Sequence, residues 1–334
     1  ARSASAEGYG DGMASFGVVG LGRIGGGLAW QALGKGFTVA GFDPAGAGER
    51  LLGAGLVPAE SLADLVARLE TPRAIFLYVH AGALIDETLE ALAPLLNPED
   101  VVVDGGNSYW GDSLRRQQRY AGCFHLADVG TSGGVSGAEN GACFMAGGLP
   151  EALDRIEPIL KSLCVPGGYV RAGGPGSGHY VKLVHNGIEF GMLQAIGEGV
   201  ALLEGFPGDL PIRDVLACWE HGSVVRSWLV TLMREQMEAQ GGLDSIPSFI
   251  EDTGEVNWLV ADALHMEVPV PVIAQSIWEL FRSRGERHPD YRAVAMMRHG
   301  FGGHPFGPHE GIAQDRRESR RMDYLHPDEH PEKG

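Results

Sequence analysis

The sequence predicts an α/β domain followed by an all-α domain, and two observations carry that prediction. Short, continuous apolar runs alternate with helical patterns from Ser15 onward, which is typical of a parallel sheet covered by helices on both faces. Strand signals stop after "YVRAGG" (169–174), and long helical patterns continue to Arg298. We expect a first domain over 13–177 and a helical substrate and oligomerisation domain over 178–312.

The individual elements follow from the spacing of apolar residues and turn residues. The candidate strands are "SFGVVG" (15–20), "FTVAGFD" (37–43), "AIFLYVHAG" (74–82), "VVVDGGNS" (101–108), "FHLADVGTSGG" (124–134) and "ACFMAGG" (142–148). Helical patterns of the first domain cover 28–36, 84–96 and 151–163. Those of the second cover 179–203, 212–221, 224–240, 251–264, 273–284 and 290–298.

Composition excludes several classes of protein. The 334 residues are 44% hydrophobic and 21% charged, as in a globular protein. A net charge of −17 disfavours nucleic acid as a partner, and no apolar window has the length of a membrane span. We interpret residues 1–12 as an extension outside the fold, and 313–334 as a charged, loosely ordered tail.

The four cysteines, at 123, 143, 164 and 218, show no CxxC or metal-like spacing. Each has apolar neighbours in the sequence, so we expect buried thiols and a reducing, cytoplasmic location. The three histidines of "RHGFGGHPFGPHE" (298–310) lack the helical spacing of a zinc site, and we expect no metal.

A glycine pattern follows the first strand. Gly20, Gly22 and Gly25 spell G-x-G-x-x-G between a strand and a helix, and Asp43 closes the next strand. This context favours a Rossmann-type dinucleotide site over a merely structural turn. The Asp43 carboxylate would bind ribose hydroxyls and repel a 2′-phosphate, which favours NAD over NADP. The expected cofactor-binding residues are Gly20, Leu21, Gly22, Arg23, Ile24, Gly25, Asp43, Val79, His80, Ala81 and Asn107.

Polar and small residues also occur at the ends of three later strands, in "YVHAG" (78–82), "DGGNS" (104–108) and "DVGTSGG" (128–134). Open α/β sheets bind ligands at the carboxyl ends of their strands. The backbone amides of Ser132, Gly133 and Gly134 could approach a carboxylate closely, and Asn107 could orient substrate or nicotinamide.

The stretch "HYVKLVHNGIEFG" (179–191) predicts an apolar helix with one polar stripe. Lys182, His185, Asn186 and Glu189 fall on one face, and Lys182 and Glu189 lie about 10 Å apart along the axis. That separation disfavours a structural ion pair. A lysine acts as a general base when burial lowers its pKa toward neutrality, so the stripe indicates acid–base chemistry.

Four motifs together resemble the 6-phosphogluconate dehydrogenases of the β-hydroxyacid dehydrogenase superfamily, in the short, NAD-linked form. They are "GLGRIG", "DGGNS", "DVGTSGGVSG" and "GSGHYVKLVHNGIEFGMLQ", within a resemblance over about residues 15–305. The resemblance implies oxidation of a sugar acid followed by decarboxylation. Lys182 is then the general base, and Glu189 is the acid that protonates the enediol carbon. Ser132, Gly133 and Gly134 become the carboxylate-binding turn, and Asn107, His185 and Asn186 substrate contacts.

At the phosphate end the resemblance implies Arg284 as a ligand. It also implies that Arg298 and His304 reach the active site of a neighbouring subunit. Two positions depart from the family pattern: Phe190 replaces a tyrosine, and Asn257 replaces a basic residue. Two phosphate ligands are therefore missing, which leaves open an unphosphorylated or otherwise modified sugar acid as the substrate.

Two further alternatives remain open. One is a non-decarboxylating β-hydroxyacid dehydrogenase, although such relatives typically lack the acid at Glu189. The other is a cofactor-binding regulator without catalysis, which would have no need of Lys182 and Glu189. Broad apolar faces in "WLVTLM" and "VPVPVIAQSIWELF" predict a homodimer or homotetramer.

Overall fold

The computed structural model describes residues 15–206, 208–284 and 289–318, so the expected extension over 1–12 and residues 319–334 of the expected tail lie outside the described residues. Residues 313–318, which we expected to be loosely ordered, belong instead to a helix. The chain divides into two compact units between Lys182 and Leu183. Each is described by itself. One helix is continuous across the division, and the domain boundary at 177/178 therefore stays a prediction.

The first unit contains one eight-stranded sheet in the order β3-β2-β1-β4-β5-β6-β7-β8. All neighbouring strands are parallel except β6 and β7, so the expected parallel sheet contains one antiparallel pair. The segment between these two strands, 133–141, forms one short helix and is too short for the crossover that parallel neighbours need. The strands are β1 (Ser15–Val19), β2 (Thr38–Phe42), β3 (Val57–Pro58), β4 (Ala74–Leu77), β5 (Val101–Asp104), β6 (His125–Ser132), β7 (Ala142–Gly148) and β8 (Cys164–Gly173).

Helices cover both faces of this sheet. Val101 and Val103 of β5 point into one hydrophobic cluster and Val102 into another, as the alternation of side chains along a strand requires. The helices of this unit are α1 (Arg23–Gly34), α2 (Glu49–Gly53), α3 (Leu62–Ala67), α4 (Ala83–Leu92), α5 (Trp110–Arg119), α6 (Gly134–Asn140) and α7 (Pro150–Leu163).

Within the described residues, the regular elements of the second unit are all helices, joined by loops. This confirms the predicted fold class. Its first helix, α8 (Ser177–Glu204), begins in the first unit. The others are α9 (Ile212–Trp219), α10 (Trp228–Gln240), α11 (Glu255–His265), α12 (Pro271–Arg282), α13 (Pro289–Gly302) and α14 (Glu310–Glu318). Helix α10 begins four residues later than expected because the Ser227 hydroxyl caps it by accepting from Val230 N.

The prediction of buried thiols is wrong. Cys123, Cys143 and Cys218 are exposed and Cys164 is intermediate, with all four unbridged. Cys143 shows why: it lies on β7 between buried Ala142 and Phe144, so alternation points it away from the core. Within the described ranges, the helices are all too short or too polar to cross a membrane.

Candidate active site

The glycine turn after β1 has the conformation that close approach of a dinucleotide requires. Gly20 has φ +89°, and a Cβ there would overlap the carbonyl of Tyr78. A Cβ on Gly25 would overlap the carbonyl oxygen of Gly20. The space beside Gly22, at the start of α1, is open, with Arg23 and Ile24 opening the helix. An anion can therefore reach the N-terminus of α1.

Asp43 lies just past the end of β2 and braces this turn. Its Oδ2 accepts from Leu21 N at 2.8 Å and its Oδ1 from Ala45 N at 2.9 Å. Each carboxylate oxygen keeps a further lone pair for a ligand hydroxyl. Arg50, the nearest cation that we considered for a 2′-phosphate, instead pairs with Glu139 at 2.5 Å and stacks on Trp30. These residues fit NAD.

Tyr78 is a residue of this edge that the sequence analysis missed. It directly precedes the expected cofactor contacts Val79, His80 and Ala81, and its hydroxyl lies 3.3 Å from Thr131 Oγ1. Burial raises the pKa of Tyr78. Its ring fills the space that a side chain at Gly105 would need. In the sequence Tyr78 is visible only as the first residue of "YVHAG" (78–82), and its contact with Thr131 cannot be recognised there.

The other strand-end residues lie where we expected them, at the carboxyl ends of β5 and β6. Asn107 is exposed three residues after β5. Ser132 is the last residue of β6, and Gly133 and Gly134 follow with φ values of +115° and +60°. These conformations favour glycine and turn the chain into α6. This sheet edge gathers the predicted glycine, carboxylate and amide groups of the first unit.

Lys182 belongs to the same unit, in the second turn of α8. It is 8% exposed, and a Cβ on Gly130 of β6 would overlap its Cβ. Exposed Cys143 on β7 interacts electrostatically with it: burial raises the pKa of the Cys143 thiol and the Lys182 charge lowers it. Gly130 lies two residues along β6 from Ser132, so Lys182 is a buried lysine close to the predicted carboxylate-binding turn, and such burial suits a general base.

The rest of the polar stripe continues along α8 into the helical unit. Asn186 is 9% exposed, and its Oδ1 lies 3.2 Å from His185 Nδ1. That imidazole nitrogen is also 4.0 Å from Glu189 Oε2. The contact with Asn186 is within hydrogen-bond distance and the contact with Glu189 is longer, and the Glu189 side chain is 17% exposed.

Phe190, one turn beyond Asn186, packs against Arg298 of α13. The guanidinium lies 4.9 Å from the ring centroid, and both residues are nearly buried, at 7% and 5% exposed. The contact is within one chain. The supply of Arg298 to a neighbouring subunit stays a prediction, and so does that of His304, whose carbonyl lies 2.8 Å from His299 Nδ1.

The remaining expected phosphate ligands, Arg284 and Asn257, both lie in the helical unit. Arg284 Nη2 pairs with buried Asp252 at 2.5 Å, and its Nε lies 3.4 Å from the Ile250 carbonyl. Asn257 of α11 has a buried Oδ1 with no hydrogen-bond partner among the described residues.

The described residues contain no group of three His, Cys, Asp or Glu side chains suited to a metal ion. A cleft of about 500 Å³ lies at the far end of α8. It is lined by Glu204, Ile212, Glu238 and neighbouring residues, and it contains none of the predicted site residues.

A dinucleotide-binding sheet edge beside a buried lysine defines the class of nicotinamide-linked dehydrogenases. Two family models then match the chain. The NAD binding domain of 6-phosphogluconate dehydrogenase matches residues 15–169, and the 6-phosphogluconate dehydrogenase C-terminal domain matches 178–296. The chain belongs to the 6-phosphogluconate dehydrogenase family.

Individual relatives agree with this assignment. The chain is 42% identical over 292 residues to the NAD(+)-dependent, decarboxylating 6-phosphogluconate dehydrogenase of Haloferax volcanii, with 86% of this chain and 97% of that protein covered. It is 38% identical to YqeC of Bacillus subtilis, whose 6-phosphogluconate dehydrogenase name is provisional, over 86% of this chain and 98% of that protein. The structure resembles 6-phosphogluconate dehydrogenase of Plasmodium falciparum with TM-score 0.72 and 26% identity, covering 80% of this chain and 62% of that one.

Proposed function

We propose that this chain is an NAD+-dependent dehydrogenase that oxidises 6-phosphogluconate and releases its carboxyl group as carbon dioxide, leaving ribulose 5-phosphate. One observation carries the proposal. Lys182 is buried against Gly130 at the ligand-binding edge of the sheet, on the helix that also carries Glu189. A hydroxyl oxidation needs a base and a decarboxylation needs a separate acid, and α8 supplies both.

The proton steps follow from these two side chains. Lys182 would accept the proton of the substrate C3 hydroxyl, and NAD+, held by the glycine turn and Asp43, would supply the acceptor for the hydride that leaves C3. The Lys182 ammonium then donates a hydrogen bond to the new carbonyl oxygen, which favours loss of carbon dioxide from the β-keto acid. Glu189 protonates the carbon that lost the carboxylate. Ser132, Gly133 and Gly134 would hold that carboxylate, and Asn107, His185 and Asn186 would orient the sugar chain.

The choice of NAD+ is supported by the electrostatics of the cofactor edge. A 2′-phosphate beside Asp43 would meet a carboxylate whose oxygens already accept two backbone N–H groups. The nearby Arg50 is occupied by Glu139 and Trp30. The Haloferax volcanii relative is named as NAD(+)-dependent as well.

A direct assay tests the proposed activity. Purified protein with 6-phosphogluconate and NAD+ should produce NADH and ribulose 5-phosphate in equal amounts, and NADP+ should support a much lower kcat/KM. Absence of NADH with 6-phosphogluconate at every concentration would exclude the proposal.

A second candidate is the same chemistry on an unphosphorylated or modified sugar acid. The observation that favours it is the distal end of the site, where Phe190 offers no hydroxyl and Arg284 is paired with Asp252. Two lost charge-assisted bonds, at about 1.5–3 kcal/mol each, would weaken phosphate binding by orders of magnitude. The ratio of kcat/KM for 6-phosphogluconate to that for gluconate and other aldonates decides between the two.

A third candidate, oxidation without decarboxylation, requires NADH to appear without carbon dioxide.

We also propose a homodimer or homotetramer in the cytoplasm. Val181, Ile188 and Met192 form an exposed apolar stripe on α8, and Trp278 of α12 is 55% exposed. Such surface is typical of a subunit interface. Light scattering should give a mass of two or four chains, and a monomer at micromolar concentration would contradict this. Four unbridged thiols support a reducing location.

A further inference from the structure

Asp128 is a buried carboxylate that the proposed chemistry does not use. It lies in β6, four residues before Ser132, and is 3% exposed. Both of its oxygens point at the beginning of α8: Oδ1 accepts from Gly176 N at 2.7 Å and Oδ2 from His179 N at 2.8 Å. Asp128 thus satisfies two backbone donors that the helix itself leaves unpaired.

Glycines let the helix come this close to the sheet. A Cβ on Gly178 would overlap the Asp128 carbonyl, and a Cβ on Gly147 of β7 would lie 2.5 Å from Gly178 N. Gly130, two residues along β6 from Asp128, meets Lys182 in the same way. The first turns of α8 therefore lie directly on β6 and β7, with no layer of side chains between them.

The side chain of His179 holds the same turn by a further hydrogen bond. His179 Nδ1 lies 2.7 Å from Ser113 Oγ of α5, with both residues buried. Burial raises the pKa of Asp128, whereas His179 and the two backbone donors lower it. Asp104 on β5 also faces this carboxylate. The contacts form one buried polar cluster around the start of α8.

We infer that Asp128 is a positioning residue that fixes the general base Lys182 relative to the carboxylate-binding turn at Ser132. This inference rests on the proposed function, because it assigns Asp128 a part in the same site. Ser132 lies on the strand of Asp128, and Lys182 lies on the helix that Asp128 caps. A shift of α8 along β6 would move the amine relative to the bound substrate, whereas the cofactor turn at β1 would stay in place.

We expect the loss of Asp128 to lower turnover while leaving cofactor binding nearly unchanged. Misplacing a catalytic group by about 1 Å lowers the rate about 100-fold without a matching loss of binding. Asp128→Asn keeps the shape of the side chain, but its amide group cannot accept from both N–H donors. We expect kcat with 6-phosphogluconate to fall about 10- to 100-fold, while KM for NAD+ changes less than about twofold.

Asp100→Asn is the matched control. Asp100 is also buried, and it also accepts two backbone N–H groups, from Arg73 at 2.6 Å and from Asn97 at 2.8 Å. It precedes β5 and therefore lies at the opposite edge of the sheet from the candidate site. A generic loss of stability should affect both variants, but only Asp128→Asn should lower kcat per folded molecule.

Hydrogen exchange gives a readout that does not depend on activity. Amides of residues 176–182 should exchange at least about 10-fold faster in Asp128→Asn than in Asp100→Asn, since the helix cap is lost. If Asp128→Asn does not fold, Ser113→Ala removes the hydrogen bond to His179 and should lower kcat at least about threefold, with unchanged KM for NAD+.

The outcomes separate the two proposals. A wild-type protein inactive on every sugar acid would reject the proposed function, and unchanged exchange over 176–182 would reject the capping of α8 independently. With an active wild type, wild-type kcat in Asp128→Asn, or equal losses in Asp128→Asn and Asp100→Asn, would overturn the positioning role. Unchanged kcat in Ser113→Ala would overturn it where Asp128→Asn cannot be obtained folded.

Discussion

At the scale of single residues, we propose that Asp43 determines the choice of coenzyme. Its two oxygens brace Leu21 and Ala45, and its charge opposes a second anion at the same place. A neutral side chain at position 43 could not repel a second anion, even if it accepted the same backbone hydrogen bonds. Coenzyme preference should therefore respond to Asp43 more strongly than to any arginine nearby.

Asp43→Ser tests that claim. We expect KM for NAD+ to rise about 10-fold or more, as expected for the loss of charge-assisted hydrogen bonds, and NADP+ to become a measurable coenzyme. Steady-state kinetics with both coenzymes gives the ratio. Arg50→Ala is the control, and it should leave the ratio unchanged because Arg50 is held by Glu139. An unchanged ratio in Asp43→Ser would reject the role of this carboxylate.

Residues were predictable from the sequence where their type and position were both unusual. Lys182 and Glu189 stand out as charges in an apolar helix, and Gly20 as part of a spaced pattern. Asp128 and Tyr78 were missed because each depends on contacts with distant segments. The pairing of Arg284 with Asp252 was equally hidden, since sequence does not show which partner a charge will find.

At the scale of elements, the close contact of α8 with β6 makes Gly130 a sensitive position. Gly130→Ala places a methyl group where the Cβ of Lys182 lies. We expect kcat to fall about 100-fold or more as α8 shifts, with NAD+ binding retained. Fluorescence titration with NADH and steady-state kinetics separate the two effects.

Gly34→Ala is the matched control for this glycine. Nothing lies within 4 Å of a Cβ built on Gly34, which closes α1 with an ordinary helical backbone. Alanine also favours the helix, so activity and stability should stay at wild-type levels. Equal kinetics in Gly130→Ala and Gly34→Ala would show that the position of α8 does not depend on its close contact with Gly130 of β6.

The junction of α4 and α5 depends on a buried ion cluster instead of apolar packing. Asp86 of α4 pairs with Arg115 and Arg116 of α5, both at 2.8 Å. Burial raises the pKa of Asp86, but the two guanidinium groups outweigh it, and the net pKa lies below the usual value. Arg116 is fully buried and also meets Asp104 at 3.2 Å.

Asp86→Asn should destabilise the protein by up to about 3–5 kcal/mol at pH 7, because it removes the carboxylate that Arg115 and Arg116 share and leaves Asp104 and Asp112 as their carboxylate partners. A carboxyl group with a lowered folded pKa stabilises the fold above its unfolded pKa, near 4, and loses that effect as pH falls through the folded value. The stability gap between variant and wild type should therefore narrow below about pH 4. Urea denaturation at pH 7 and pH 3 measures it, and a gap independent of pH would contradict the ion-cluster account.

Elements were predicted well where apolar periodicity marks them. The pattern over 179–203 corresponds to α8, observed at Ser177–Glu204. Helix α5 escaped prediction because its buried residues include Asp112, Ser113 and Arg116, which leave no apolar stripe to recognise. The reversal at β7 was also hidden, since strand direction depends on the connection and not on composition.

At the scale of the whole molecule, the predicted site residues fall in two units that share α8. The glycine turn, Asp43 and Lys182 belong to the first unit, and Asn186 and Glu189 belong to the helical unit. The change of pattern near residue 178 predicted an α/β unit followed by a helical unit, and the boundary at 177/178 stays a prediction. The substrate phosphate site was not, because Phe190, Asn257 and Arg284 are set by packing within the helical unit.

The exposed stripe on α8 leads to a prediction about assembly. Ile188→Asp places a charge on a side chain that is 54% exposed and apolar, which should dissociate the oligomer if this stripe is the subunit interface. Sedimentation should show a lower mass, while circular dichroism stays unchanged. Leu52→Asp, on an exposed apolar residue of α2, is the control and should leave the mass unchanged. A mass unaltered in both variants would exclude the α8 stripe as the interface.

The most direct test measures the carbon dioxide and the NADH that form in the same reaction. Wild-type protein with NAD+ and 6-phosphogluconate carrying ¹³C in its carboxyl group should release one ¹³CO₂ for each NADH formed. Lys182→Met should bind NADH normally yet produce both at no more than about one-thousandth of the wild-type rate, as expected for removal of a general base. Wild-type turnover in Lys182→Met, or NADH without labelled carbon dioxide in the wild type, would contradict the account.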